Sequence, residues 1–160
     1  MELEFTKMHG IGNDFIMLDD RDGRIESYAG YPFLAKKLCD RRFGIGADGI
    51  ILLVPSQDHD MGFRIINQDG SEPEMCGNGM RCFAKYLYEN QIVAKPVMRV
   101  ETKAGTIIPE VIFDDNGQVV SVKVDMGMKI QRLLIIWRCF CENKRLMPHL
   151  ILIACANRFL

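Results

Sequence analysis

The chain has no basic segment leading into an apolar one at its start. Met1-Glu-Leu-Glu-Phe-Thr-Lys7 is charged and amphipathic, which gives no secretory signal and makes the cytoplasm the expected location. Net charge is nearly absent, −1 over 160 residues, so no electrostatic footprint for a nucleic acid is expected. There is no Cys-x-x-Cys pair, and the three histidines are scattered, which argues against structural zinc and leaves no metal site expected. The six cysteines, without a secretory signal, are read as thiols of a reducing compartment rather than as a disulfide framework. No apolar run is uninterrupted for the length of a membrane span: Arg132 and Arg138 break the run from Ile130 to Cys141, and Asn157-Arg158 cut the one from Leu146 to Leu160. An apolar fraction of 48% with 26% charged residues fits one soluble globular domain with a real core.

Glycine is also missing, but only from one part. All 14 glycines precede Met128, and the segment after Gly127 carries six basic residues against one acidic one. Residues 1–127 are therefore about −6 and residues 128–160 about +5, a break in composition that marks two regions.

Within residues 1–127 the pattern alternates strands with turn clusters. Residues 2–8 read as an imperfect strand, and the His9-Gly-Ile-Gly-Asn13-Asp turn leads to a second strand over Phe15-Ile-Met-Leu18, with Asn13 at the loop end. A helix is expected over Pro32–Arg41, with Pro32 in its first turn and Gly44 at its exit. Gly44-Ile-Gly-Ala-Asp48-Gly49 has the spacing of a dinucleotide fingerprint. However, the apolar run Ile50–Val54 that follows reads as a buried strand where phosphate binding requires a helix. Gly62–Asn67 is a further strand, and Met80, Phe83, Ala84, Leu87 and Tyr88 form the apolar stripe of a helix. Strands return over 97–126, where Asp114-Asp-Asn-Gly117 signals a hairpin, and Val120, Val122, Val124 and Met126 alternate with polar residues to give one buried face. The expected class is α+β, mixed and antiparallel strands around a central helix.

The chemistry concentrates in Asn67-Gln-Asp-Gly-Ser-Glu-Pro-Glu-Met-Cys76-Gly-Asn-Gly-Met-Arg-Cys82. A helix starting near Asn78 points the unpartnered N–H groups of its first turn, and the positive end of its dipole, at the loop carrying Cys76. Gly77 and Gly79 admit close approach to the backbone, and Asn78 offers an amide to a carboxylate. These parts suit a thiolate acting as a nucleophile, or a thiolate removing a proton from carbon beside a carboxylate. No histidine adjoins Cys76 in sequence, which favours proton abstraction, with His9 or His59 left as spatial neighbours. The plain alternatives are a structural Cys76, a buried packing role for Cys82, and turn roles for Asn13 and Asn67.

Lys7-Met-His-Gly-Ile-Gly-Asn-Asp-Phe15, Gly44-Ile-Gly-Ala-Asp48, Arg64-Ile-Ile-Asn-Gln-Asp-Gly-Ser71 and Met75-Cys-Gly-Asn-Gly-Met-Arg-Cys-Phe83, in this order, resemble the diaminopimelate epimerase family. The resemblance runs from the start to Val124-Asp-Met-Gly127. It implies an isomerase of lysine and peptidoglycan precursor synthesis that converts LL-diaminopimelate to the meso form without pyridoxal phosphate, any other cofactor or metal. One cysteine thiolate removes the α-proton and a second thiol protonates the opposite face. The resemblance places Cys76 as the first thiol and Asn13, Asn67, Gly77 and Asn78 as substrate-holding positions. Gly49 stands where some members carry a substrate-touching glutamine, so that contact is not carried over. The implied fold is one of two similar halves flanking a cleft, in a family-like homodimer that binds a small molecule and neither nucleic acid nor membrane. After Gly127 the likeness stops: Cys139, Cys141 and Cys155 lack the glycine- and threonine-rich surroundings of the family's partner cysteine. The expected domains are thus 1–127, epimerase N-terminal half, and 128–160, a frameshifted or foreign tail, in a chain with little or no epimerase activity. A related cofactor-independent racemase or isomerase of the same fold, or a non-catalytic fragment or binding module that keeps only the carboxylate site, are the alternatives.

Overall fold

A computed structural model describes residues 2–126. The Cys139, Cys141 and Cys155 readings, and the tail itself, lie outside the described residues.

Among the described residues, eight strands and three helices follow in chain order. They are β1 (Thr6–Gly10), β2 (Asn13–Asp19), α1 (Arg24–Ala29), α2 (Tyr31–Leu38), β3 (Gly49–Val54), β4 (Met61–Asn67), α3 (Gly77–Glu89), β5 (Val100–Thr102), β6 (Gly105–Ile107), β7 (Glu110–Phe113) and β8 (Val119–Lys123). β1 to β6 form one sheet in sequential order, and β7 and β8 pair as a separate antiparallel hairpin. β2–β3 and β4–β5 are parallel, whereas β1–β2, β3–β4 and β5–β6 are antiparallel. Parallel neighbours need a crossover. The first crossover passes through α1 and α2, the second through α3.

The two crossovers cover opposite faces of the sheet. Ile50, Leu52 and Ile66 pack with Leu34 and Ala35 of α2, while Phe15, Ile51, Leu53, Phe63 and Ile65 pack with Met80, Phe83, Ala84 and Leu87 of α3. β3 is thus buried on both sides, which is why Ile50–Val54 reads as a continuous apolar run rather than an alternation. α3 lies between the six-stranded sheet and the β7–β8 hairpin. Phe83 meets Phe63 edge-on at 5.1 Å between ring centroids on the sheet side, and Tyr88 meets Phe113 at 5.0 Å on the hairpin side. This is the central helix with strands around it that the sequence implies, and mixed pairing completes the α+β class.

Three local readings need correction, and one helix, α1, is not expected from the sequence. The first strand begins at Thr6 rather than residue 2, and it turns into β2 through Ile11 and Gly12 alone, both at positive φ (51° and 86°). That is the backbone of a two-residue I′ hairpin turn, which asparagine or glycine adopts readily and isoleucine does not. α1 has no apolar stripe in the sequence: six residues long and burying only Ile25, it is fixed by the Asp20 carboxylate, which accepts from the backbone N–H groups of Ile25 and Glu26 and from the Tyr31 hydroxyl. α2 ends at Leu38 with Cys39 as its cap, before Gly44. The Gly44–Gly46 segment folds back over that end, and the N–H groups of Ile45 and Gly46 both donate to the Leu38 carbonyl. Finally, Val120 is 52% exposed although Val122 and Val124 are buried. Ile112 pairs with Ser121 but Phe113 pairs with Val119, so a bulge skips Val120 and breaks the alternation there.

Candidate active site

Side-chain alternation sorts residues at one end of the sheet. Asn13 shares a face with Phe15 and Met17, Gly49 with Ile51, and Asn67 with Ile65, all on the α3 side. β2 and β3 start at that end and β4 finishes there, since Gly49 lies opposite Asn67 and beside Phe15. A Cβ on Gly49 would sit 2.7 Å from the Ile66 carbonyl oxygen, so this position accepts no side chain without shifting the β3–β4 pair.

The first turn of α3 lies over this end. Gly79 is buried, and a Cβ on it would fall 2.9 Å from Ile51 Cδ1 and 3.5 Å from Ile65 Cδ1, so the glycine lets the helix start close to the sheet. On the other side β1 approaches at Gly10, where a Cβ would stand 3.0 Å from the Asn78 carbonyl oxygen and 3.3 Å from Cys82 Sγ. Cys76 is the N-cap residue, half-buried in extended conformation, and its sulfur accepts from the Gly79 N–H at 3.5 Å. A sulfur in that position takes the role that a serine or aspartate oxygen fills at most helix starts. The next N–H groups, of Gly77 and Asn78, belong to the turn in which no intrahelical acceptor exists.

A chain of polar side chains joins this turn to the sheet. Arg81 donates to Asn78 Oδ1, Asn78 Nδ2 donates to Asn13 Oδ1 at 2.6 Å, and Asn13 Nδ2 donates to Asp48 Oδ2 at 3.0 Å. Asp48 is held in turn by the Asp14 backbone N–H (3.2 Å) and by Arg41 Nη2 (2.8 Å). Arg41 also forms a two-pronged pair with Asp14, at 3.0 and 2.7 Å. That bond, helped by Lys7 at 3.3 Å, lowers the Asp14 carboxyl to about 2, despite partial burial that acts the other way. Burial beside the helix moves the Arg81 guanidinium in the opposite direction from a salt-bridged one, downward from its ordinary value.

Of the residues expected from sequence, Cys76, Gly77, Asn78 and Asn13 converge. Asn67 stands on the same face and end, separated from β2 by β3, with its amide donating to Ser71 Oγ at 2.9 Å. Cys82 is buried at 4% exposure, and burial raises its thiol to about 11, which agrees with the packing role. Neither described histidine adjoins Cys76. His9 alternates with Met8 and Gly10, which face α3, and is exposed on the other side; His59 precedes β4 at the far end of the sheet, bonded to Thr106 Oγ1 at 2.7 Å. Sequence reasoning passed over Asp14, Arg41, Asp48 and Arg81 as a group. Asp48 ends the second glycine loop and Arg81 follows Asn78 by one helical turn, but only the parallel β2–β3 pairing shows that they meet.

Residues 5–130 match the family model described as Diaminopimelate epimerase. The chain belongs to the diaminopimelate epimerase family. It is 62% identical over 130 residues to the diaminopimelate epimerase of Desulforapulum autotrophicum, covering 81% of this chain and 46% of that protein. With the diaminopimelate epimerase of Caldanaerobacter subterraneus subsp. tengcongensis it shares 57% identity over 128 residues, 80% of this chain and 44% of the relative. The chain therefore spans just under half the length of these epimerases. Among solved structures, a probable proline racemase from Agrobacterium radiobacter K84 has the same fold over 77% of this chain and 41% of its own, with a TM-score of 0.60 at 20% identity. The motifs that signal the epimerase family all fall within the described residues. Among those residues no helix is long and apolar enough to cross a membrane.

Proposed function

We propose that residues 1–127 form the half of a diaminopimelate epimerase that serves one face of the substrate's α-carbon. The observation that carries this reading is the placement of Cys76 at the start of α3, beside the Asn78–Asn13 amide pair, in a chain 62% identical to an epimerase. Asn13, Asn67 and the Gly77–Asn78 turn hold the substrate, and the first-turn N–H groups donate to the carboxylate next to the reacting carbon. The Cys76 thiolate removes the α-proton and becomes a thiol. The electron pair left on carbon spreads onto the carboxylate, where the helix start and the amide hydrogens stabilise the added charge. A proton delivered to the opposite face by a second thiol completes LL-to-meso inversion and leaves that sulfur as thiolate. The described residues supply the first of these thiols. In the same reading residues 128–160 are a frameshifted or foreign tail in sequence, and a homodimer of the family type buries part of the surface of residues 1–127.

Stereochemistry and isotope exchange test this together. In D2O the chain should place deuterium on the α-carbon of diaminopimelate from the face that Cys76 serves, with little LL-to-meso inversion, and Cys76→Ser should abolish the exchange. Inversion at a rate typical of full-length family members would refute the one-face reading. Ligand binding without exchange, unchanged in Cys76→Ser, would instead make the site a carboxylate-binding module.

A further inference from the structure

The side-chain relay at the start of α3 has a direction. A guanidinium only donates hydrogen bonds and an ionised carboxylate only accepts them, whereas a carboxamide does both. Arg81 stands at one end, against Asn78 Oδ1, and Asp48 at the other, against Asn13 Nδ2. With both ends fixed in kind, each amide between them has a single workable orientation. Turning Asn13 over would set its carbonyl against the Asp48 carboxylate; turning Asn78 over would set its NH2 against the Arg81 guanidinium. The internal bond, Asn78 Nδ2 to Asn13 Oδ1 at 2.6 Å, agrees with that orientation. Each amide nitrogen has two hydrogens and uses one in the relay, so one further hydrogen remains on Asn13 and one on Asn78, while each carbonyl already accepts a bond.

Both end groups are themselves held. Asp48 accepts from the Asp14 backbone N–H at 3.2 Å and from Arg41 at 2.8 Å, and cannot swing away without losing those contacts; Arg81 is half-buried against the first turn of α3.

We propose that Asp48 and Arg81 are positioning residues that set the polarity of the Asn13–Asn78 relay, so that the amides beside Cys76 offer their free N–H donors to a ligand and select an ionised carboxylate over a neutral carboxamide. This rests on the carboxylate-binding reading of the site. A carboxamide ligand would bring its own NH2 group against these donors and leave one of them without a partner.

The test is an NMR titration of the full chain with LL-diaminopimelate and with its bis-carboxamide, following the side-chain NH2 signals of Asn13 and Asn78. The wild-type chain should bind the dicarboxylate roughly tenfold or more tightly than the carboxamide, with both NH2 signals shifting. Asp48→Asn puts at the relay's end a group that can donate or accept, and the preference should fall to within about twofold. Arg81→Met should weaken it similarly, while Arg81→Lys, which still donates, should restore it; this second pair decides the matter if Asp48→Asn does not fold. A preference left intact in Asp48→Asn or in Arg81→Met overturns the proposal but leaves the carboxylate site standing. A wild-type chain that binds neither compound overturns the carboxylate reading and the polarity proposal together.

Discussion

The first turn of α3 and the turns after it are one helix built for opposite purposes. Cys76, Gly77 and Asn78 are half-buried, and Asn78 bonds Asn13 of β2, whereas Cys82, Phe83, Ala84 and Leu87 are buried among apolar neighbours from both sheets. The two cysteines show the contrast in a single residue type: Cys76 caps the helix and is half-buried, and Cys82 is an apolar filler behind Gly10 whose thiol burial raises to about 11. Chemical role here follows position along the helix rather than residue identity. Stability resides in the later turns, and the first turn is free to carry groups that contribute little to it.

Changes that separate the two regions can be ranked. Phe83→Ala removes a fully buried ring wedged against Phe63, and should cost about 3–5 kcal/mol in denaturant unfolding. A loss below about 1 kcal/mol would mean that the later turns do not hold the fold. An intermediate effect belongs to the polar cluster below the first turn. Asp14 has a folded-state pKa of about 2, below its ordinary value of 3.8, so the unfolded chain binds protons more readily and stability falls as pH drops. The Asp14 contribution should be complete above about pH 5 and lost progressively toward pH 2. Comparing unfolding midpoints of the wild type and Asp14→Asn across that range checks it, and the variant's profile should be the flatter one.

The smallest stability effect is expected at Cys76, the residue proposed to carry the chemistry. Cys76→Ser keeps a capping side chain and should leave unfolding free energy within about 0.5 kcal/mol. Peptide-resolved mass spectrometry after a short iodoacetamide pulse at pH 8 should find Cys76 alkylated and Cys39 and Cys82 spared, because both of the latter are buried and raised to about 11. Equal labelling of Cys76 and Cys82 would erase the contrast between the two regions of α3.

Legibility from sequence followed how local the determining physics is. The α3 stripe and the β3 run could be read because helix period and burial on both faces act within a few residues. α1 could not, since its start is held by Asp20 from outside the helix, and Val120 was misplaced because a bulge is a property of the pair Phe113–Val119 rather than of either strand. At the site the same divide applies. Cys76, Gly77 and Asn78 declared themselves through one loop-to-helix junction, but the partners of Asn13 required knowing that β2 runs parallel to β3 and that Gly10 brings β1 against α3.

The two parallel crossovers have a consequence for how the molecule is made. The bond from Asn78 to Asn13 closes a separation of 65 residues and that from Asn13 to Asp48 one of 35, so both loops must be closed before the relay exists. Contacts of this range form late and slow the search for the native state. During synthesis, Asn13 and Asp48 emerge before Cys76, so the thiol meets its polar surroundings only once α3 has docked on the strands that precede it. Site-specific labelling of Cys76 in the presence of a carboxylate ligand would then serve as a clock for the last step of folding.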